Sequence, residues 1–312
     1  MAEILVIVNP ASAGGKTARR WLQLAGALRA AGLDFDTQLT TRPMDAAELA
    51  RKGVREGRRV VAAAGGDGTL NEVVNGFFEN GEPVRTDAAL ALIPLGTGGD
   101  FRRTFDLPLT PISIAGMLTR GEVRTIDAGV AHYRNHLGTE ETRAFANIAD
   151  AGVGGEVVDR VNRSSKRLGG DLTFMLASIT SLLTWRNKPM TAVVDGERRE
   201  LKAQQVVAAN CRFYGSGMQV APMADPSDGL LDFLLIGDVS AVENVRGLSK
   251  IKAGRHLDEP NPKWEVLRGK RAEVSSPEPV RLDLDGEQPG FLPATFEVVP
   301  GALKLLVPKR GG

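Results

Sequence analysis

The stretch VVAAAGGDGTLNEVVNGF, Val60 to Phe77, restricts the possible folds more than any other part of the chain. A run of small apolar residues reads as a buried strand. It enters Gly65, Gly66, Asp67 and Gly68, and Thr69 then opens an amphipathic helical pattern with Glu72 in its first turn. A strand that passes through glycines straight into a helix is the junction of parallel α/β sheets. The glycines let backbone amides approach an anion with no Cβ in the way, and the helix start adds partial positive charge. This junction reads as a phosphate cradle.

The construction recurs on either side. LALIPLGTGGDFRRTF, Leu90 to Phe105, is a strand followed by Gly96, Thr97, Gly98 and Gly99, then Asp100 with Arg102 and Arg103. ILVIV, residues 4–8, runs into NPASAGGKT, which resembles a Walker loop except that Pro10 stands where that loop requires glycine. ARRWLQLAGALRAAG and DAAELARKGVREG have helical spacing, FDTQLT alternates like a strand, and TLNEVVNGFFEN reads as helix through Asn80. Strands separated by helices imply parallel pairing and right-handed crossovers, hence a doubly wound α/β domain with ligands at the carboxyl ends of its strands.

Beyond about Asp127 the pattern changes to short alternating runs, among them IDAGVAHY, LLDFLLIG and PVRLDLDGE. These predict a second, mostly antiparallel domain broken by helices near 153–186 and 239–254. The expected division is a nucleotide-binding domain over 1–127, the ATP-binding domain under the resemblance given below, which 301–312 could complete with a strand, and a β-rich substrate domain over 128–300. No Gly/Ser linker separates the two.

Composition excludes several classes. Lys plus Arg is 39 against 38 Asp plus Glu, a net charge of +1, which gives no electrostatic case for nucleic acid. Cys211 stands alone, so neither a disulfide framework nor a cysteine-rich zinc site is expected. MAEILVIVNP lacks a basic leader and reads as a first strand. The apolar stretch FMLASITSLLTW falls short of the roughly 20 residues that span a bilayer. A cytoplasmic protein, peripherally associated with a membrane, is expected. His132, His136 and His256 show no metal-ligand spacing.

Within the loops, Asp67 and Asp100 are carboxylates suited to holding a catalytic magnesium directly or through water, or to capping a helix. Lys16, Arg102 and Arg103 are the nearby cations. Two DGE triplets occur, Asp195-Gly196-Glu197 and Asp285-Gly286-Glu287, and local chemistry does not separate them. MADPSDGLLDFLLI gathers Asp225, Asp228 and Asp232 around Gly229 without EF-hand spacing. Arg160 to Pro189 places a basic segment before an apolar helix in which Phe174, Leu176, Ile179, Leu182 and Leu183 could line a lipid slot. The same segment also reads as a core helix with solvated basic ends.

NPASAGGK, GGDGTLNEV, PLGTGGDF, YGSGMQVAP, DPSDGLLD and a late DGE occur in the order seen in the diacylglycerol kinase catalytic-domain family, which includes bacterial soluble lipid kinases and the sphingosine and ceramide kinases. The resemblance covers nearly the whole chain; GGDGT alone is shared with NAD kinases and 6-phosphofructokinases. It implies an α/β nucleotide domain, a β-sandwich-like domain and an active site in the cleft between them. By motif match, ATP would meet Asn9, Pro10, Ser12, Thr40, Gly66, Asp67, Gly68, Thr69, Asn71, Glu72 and Thr97, with Gly65, Gly96 and Lys16 beside them. Thr41 is the neighbouring alternative to Thr40. The family's general base maps to Glu287, leaving Glu197 as turn surface, and its structural magnesium maps to Asp228 with Asp225 and Leu230. Where relatives commonly read GTxNDF, this chain has Gly99 for the Asn. The implied activity is transfer of phosphate from ATP to a diacylglycerol-like, sphingoid or ceramide hydroxyl at a membrane surface. An NAD kinase-type phosphotransferase and a nucleotide-binding regulator are the alternatives. Family members include dimers, so a homodimer is a further expectation.

Overall fold

The computed structural model describes residues 2–84, 87–163, 177, 178 and 180–309. The chain forms two compact units, residues 1–126 with 301–312, and residues 127–300.

The first unit is built on parallel strands β1 (Ile4–Val8), β2 (Asp36–Leu39), β3 (Val60–Gly65) and β6 (Ala89–Pro94) in the spatial order β2-β1-β3-β6. Val6 to Val8 and Val60 to Ala64 are fully buried, as strands covered on both faces require. Helix α1 (Lys16–Ala30) packs with α5 (Pro111–Arg120), and α2 (Asp45–Arg55) packs with α3 (Asp67–Gly76); α4 (Asp100–Thr104) is one short turn. Strand β17 (Gly290–Val307) returns the chain to this unit, where Leu305 pairs in parallel with Leu90 of β6.

One local expectation fails. Helix α3 stops at Gly76, and Phe78–Glu79 (β4) and Glu82–Pro83 (β5) form a hairpin. Asn80 and Gly81 adopt φ 54° and 85°. An Asn-Gly pair is the preferred two-residue hairpin turn, and it overrides the helical spacing before it.

The second unit is an antiparallel sandwich. One sheet has the order β14 (Trp264–Gly269), β13 (Leu231–Ile236), β12 (Gln205–Ala209), β9 (Ile148–Gly152), β16 (Leu282–Leu284). Facing it are β10 (Lys188–Val194), β11 (Glu197–Ala203), β15 (Arg271–Ser275), β8 (Glu140–Phe145), and the parts of β7 (Glu122–Asn135) and β17 in this unit. Alternate residues such as Ala149, Val206, Phe233 and Leu282 meet Ala192, Val274 and Phe296 in the core. The opposite residues of the five-stranded sheet form a second layer with Val220, Ala221 and Ala224. Helix α6 (Val153–Arg163) contacts β9 and β16, and α7 (Ala241–Lys252) begins with a Ser240–Glu243 capping box.

Candidate active site

Because β1, β2, β3 and β6 are parallel, the loops after their carboxyl ends share one edge of the first unit. The strand order reverses between β1 and β3, so the loops Asn9–Gly15 and Gly65–Gly68 flank the switch point where open α/β sheets bind ligands. In the first loop, Asn9 Oδ1 accepts the Ala11 N–H at 3.0 Å, and Ser12 Oγ lies 2.6 Å from Thr17 Oγ1. Ala13, Gly14 and Gly15 then turn left-handed at φ 52°, 65° and 84°, a path that glycine follows without strain. Helix α1 starts at exposed Lys16 with no side-chain cap.

Gly66 precedes α3, again without a side-chain cap, so the first amides of this helix have no intrahelical acceptor. The third loop differs. Asp67 Oδ2 accepts the N–H groups of Gly99 at 2.8 Å and Asp100 at 3.1 Å, and its Oδ1 that of Phe101 at 3.4 Å. The start of α4 is therefore closed by a carboxylate from the second loop, and the open helix starts are those of α1 and α3. Backbones of the two loops touch: a Cβ on Gly96 would stand 2.4 Å from Gly66 Cα. Gly99 has φ 71°, a left-handed conformation that Gly adopts freely and Asn more readily than most residues.

Other expected nucleotide residues divide into two groups. Pro10, Thr97 and Thr40 lie on the same edge, where the Thr40 amide donates to Val8 O. The hydroxyl and amide of Thr41 both donate to Asp45 Oδ2, and Thr40 is buried. Thr69, Asn71 and Glu72 turn into the protein. Thr69 packs on Gly65, Asn71 is fully buried, and Glu72 Oε2 accepts the Ala46 N–H at the uncapped start of α2. Asp100 is 7% exposed and pairs with Arg103 at 3.0 Å, while Arg103 also donates to Gly98 O. Both acceptor sites of Asp67 Oδ2 are taken by amides and one remains on Oδ1, so this donor set fits a magnesium reached through water.

In the second unit the two DGE triplets have one backbone form. Asp195-Gly196 has φ 45° and 92°, Asp285-Gly286 has φ 52° and 89°, and each is a left-handed two-residue turn. Each aspartate also fastens a neighbouring strand. Asp195 accepts the amides of Lys270 and Arg271, and Asp285 those of Ala146, Asn147 and Ile148. Their glutamates differ: Glu197 is exposed and paired with Arg199, whereas Glu287 is half-buried beside acidic neighbours.

The buried acid beside Glu287 is Asp283, itself beside Asp150, and the sequence patterns do not mark the two as a pair. They face each other across the β9–β16 ladder and are both buried. Burial pushes Asp150 up to about 7, opposed by hydrogen bonds from the Tyr214 hydroxyl and the Gly155 amide. Asp283 is raised well above the usual carboxylate range by burial and by the charge of Asp150. The alternation of LDLD, with acids at every second position, is the one signal that points to Asp283, and none points to Asp150.

In the loop 223–236, Asp225 Oδ1 accepts the amide and hydroxyl of Ser227, and Asp228 Oδ1 accepts the Leu230 amide. Arg268 pairs with Asp228 Oδ2 and, at 3.0 Å, with Asp232 Oδ1. Burial raises Asp232, and the charges of Asp228 and Asp225 add to the rise. Asp127 joins this loop by accepting the Gly229 amide at 2.8 Å, a contact that sequence reading missed. Carboxylates in excess of one guanidinium fit a hard divalent cation, which would compete with Arg268 for Asp228. Among the described residues no three His, Cys, Asp or Glu side chains converge on one point; the expected set has two carboxylates and a main-chain carbonyl. Phe174, Leu176 and Ile179 of the expected lipid slot lie outside the described residues. Leu182 is half-buried and Leu183 is 58% exposed.

Uncapped helix starts at a switch point, with carboxylates beside them, equip a chain for nucleotide-dependent phosphoryl transfer. The class is a phosphotransferase, and sequence comparison narrows it to one family. Residues 3–131 match the diacylglycerol kinase catalytic domain, and residues 147–307 match the YegS C-terminal NAD kinase beta sandwich-like domain. The chain is 31% identical to a diacylglycerol kinase of Mycobacterium tuberculosis (strain H37Rv), covering 100% of this chain and 97% of that one. It is 27% identical to a diacylglycerol kinase of Bacillus subtilis (strain 168), covering 99% and 98%. The chain belongs to the diacylglycerol kinase catalytic-domain family and is an ATP-using phosphotransferase of the lipid-kinase type. A diacylglycerol kinase structure from Bacillus anthracis str. Sterne shares the fold with TM-score 0.69 and 21% identity, covering 97% and 96%. Yeast NADH kinase complexed with NADH shares it more distantly, with TM-score 0.51 and 12% identity, covering 97% and 82%.

Proposed function

We propose that the protein transfers the γ-phosphoryl group of magnesium-bound ATP to the free hydroxyl of a diacylglycerol-like lipid at a membrane surface. The observation that carries this reading is the 31% identity to a diacylglycerol kinase, which extends over the whole chain and so includes the second unit as well as the nucleotide loops. The fold shared with NADH kinase is common to both branches and does not favour a dinucleotide acceptor.

In this reading the open starts of α1 and α3 receive ATP phosphates, and Lys16 adds a charge there. Asn9, Ser12 and Thr40 give polar contacts to the nucleotide. Magnesium, when bound, neutralises phosphate charge, held through water by Asp67 and Asp100, while a second, structural magnesium belongs to Asp225, Asp228 and the Leu230 carbonyl. Glu287 accepts the lipid hydroxyl proton as the new oxygen–phosphorus bond forms and the bond to ADP breaks; the proton then passes to solvent. Exposed Leu183 and Arg186 supply an apolar and a basic contact for a lipid surface. The reading includes residence in the cytoplasm at the membrane face.

Glu287→Gln tests the assignment. General-base loss lowers kcat by about 10²–10⁴, with ATP affinity unchanged, and Glu197→Gln serves as the matched turn control. A Glu287→Gln enzyme with most of its activity removes Glu287 from the mechanism.

A further inference from the structure

On the outer face of the five-stranded sheet, Leu234, Val207, Asp150 and Asp283 form one row across β13, β12, β9 and β16. Directly opposed side chains in such a ladder have Cβ atoms about 5 Å apart. Asp150 is 0% exposed and Asp283 2%. Two ionised carboxylates at that separation, away from water, repel too strongly to coexist.

What neutralises the pair is set by its surroundings. Among the described residues no Lys or Arg pairs with either carboxylate. Arg281, at the start of β16, gives its guanidinium to Glu156 at 2.8 Å and Asp159 at 3.5 Å of α6. The Tyr214 hydroxyl donates to Asp150 Oδ2 at 2.9 Å, and the Gly155 amide also donates to Asp150. Asp150 Oδ1 is buried with no hydrogen-bond partner. The other acids facing the pair are Asp285, held by three strand amides, and Glu287. A proton shared by Asp150 and Asp283 completes this set.

The pair is linked to the turn that carries the proposed base. Asp283 Oδ1 accepts the Gly286 N–H at 2.7 Å, one peptide from Glu287, and Leu284 and Glu287 exchange both backbone hydrogen bonds around that turn. We propose that Asp283, proton-linked to Asp150, is a positioning residue for Glu287: the chain Asp150–Asp283–Gly286 fixes the turn, and loss of the shared proton sets the two carboxylates against each other, displacing Asp283 together with the Gly286 turn it holds and so misplacing the base. The proposal rests on Glu287 as proton acceptor. The proton belongs to the pair rather than to either residue.

Two measurements test it on the full-length enzyme. In pH profiles, wild-type kcat falls on the alkaline side as the pair ionises. In Asp283→Asn the amide donates to Asp150 while its oxygen still accepts from Gly286; kcat at neutral pH stays within about threefold and the alkaline fall disappears. Asp283→Leu loses about tenfold or more in kcat at unchanged ATP affinity. An alkaline fall that persists in Asp283→Asn, or full kcat in Asp283→Leu, overturns the positioning role. Infrared spectroscopy reads the proton itself. A protonated-carboxyl stretch is expected in wild type and in Glu287→Gln, and is absent from Asp283→Asn and Asp150→Asn. Its absence from wild type, or its appearance only after divalent cations are chelated, overturns the shared proton. Retained activity in Glu287→Gln with the band intact defeats the base assignment, and the positioning role with it, but leaves the proton pair standing.

Discussion

Asp67 Oδ2 accepts the backbone N–H of Gly99 at 2.8 Å, so a carboxylate from the second glycine-rich loop closes the helix start of the third. The same carboxylate reaches the amides of Asp100 and Phe101. Asp67 therefore joins the two loops whatever it does for a metal. Removing a carboxylate that satisfies helix-start amides costs about 1–2 kcal/mol. Asp67→Ala is expected to melt several degrees below wild type with nucleotide and magnesium both absent. Equal melting of the metal-free proteins would restrict Asp67 to metal binding.

Gly96 and Gly99 respond oppositely to substitution. At Gly96 a Cβ would enter the Gly66 backbone at 2.4 Å, so Gly96→Ala separates the loops, and ATP affinity is expected to fall by about tenfold or more. At Gly99 the backbone is left-handed and a Cβ meets only the flexible Arg102 side chain. Gly99→Asn is expected to keep ATP affinity within about threefold. Nucleotide titration of the two variants separates these outcomes.

The Asp225–Asp232 loop is expected to bind magnesium in competition with Arg268. Chelation then lowers the melting temperature of wild type, and magnesium restores it. Asp228→Asn abolishes the magnesium-dependent part of the shift. A shift that survives in Asp228→Asn places the stabilising cation elsewhere.

The buried acids also make stability depend on pH. The folded pKa of Asp150, about 7, lies above the unfolded value of 3.8, so the native state keeps a proton that the unfolded chain releases. That contribution is complete below the unfolded value and is lost as pH rises through the folded one. Asp150→Asn lacks this slope. Its stability relative to wild type should therefore rise between about pH 4 and pH 8, by on the order of 4 kcal/mol. Urea midpoints across that range check the sign; a constant difference between the two proteins contradicts it.

Much of this was legible in the sequence because it is local. The strand-to-glycine junctions after Val8, Gly65 and Pro94 occur as read, and so does the change to antiparallel strands in the second half. What escaped depends on partners distant in the chain. Asp67 has the local pattern of a phosphate-loop acid, but the amides it holds lie 32 to 34 residues later. Asp195 and Asp285 make the same turn, and only the strands they fasten distinguish them. Asp150 and Asp283 become a pair through sheet register, which periodicity within either strand does not encode.

Phosphoryl transfer to a lipid hydroxyl is decided by the identity of the labelled product. With γ-labelled ATP, magnesium, and mixed micelles containing diacylglycerol, ceramide, sphingosine or phosphatidylglycerol, with NAD in parallel, label is expected in the phosphate ester of diacylglycerol and to be lost in Glu287→Gln. Label in NAD alone, or in no acceptor, contradicts the account.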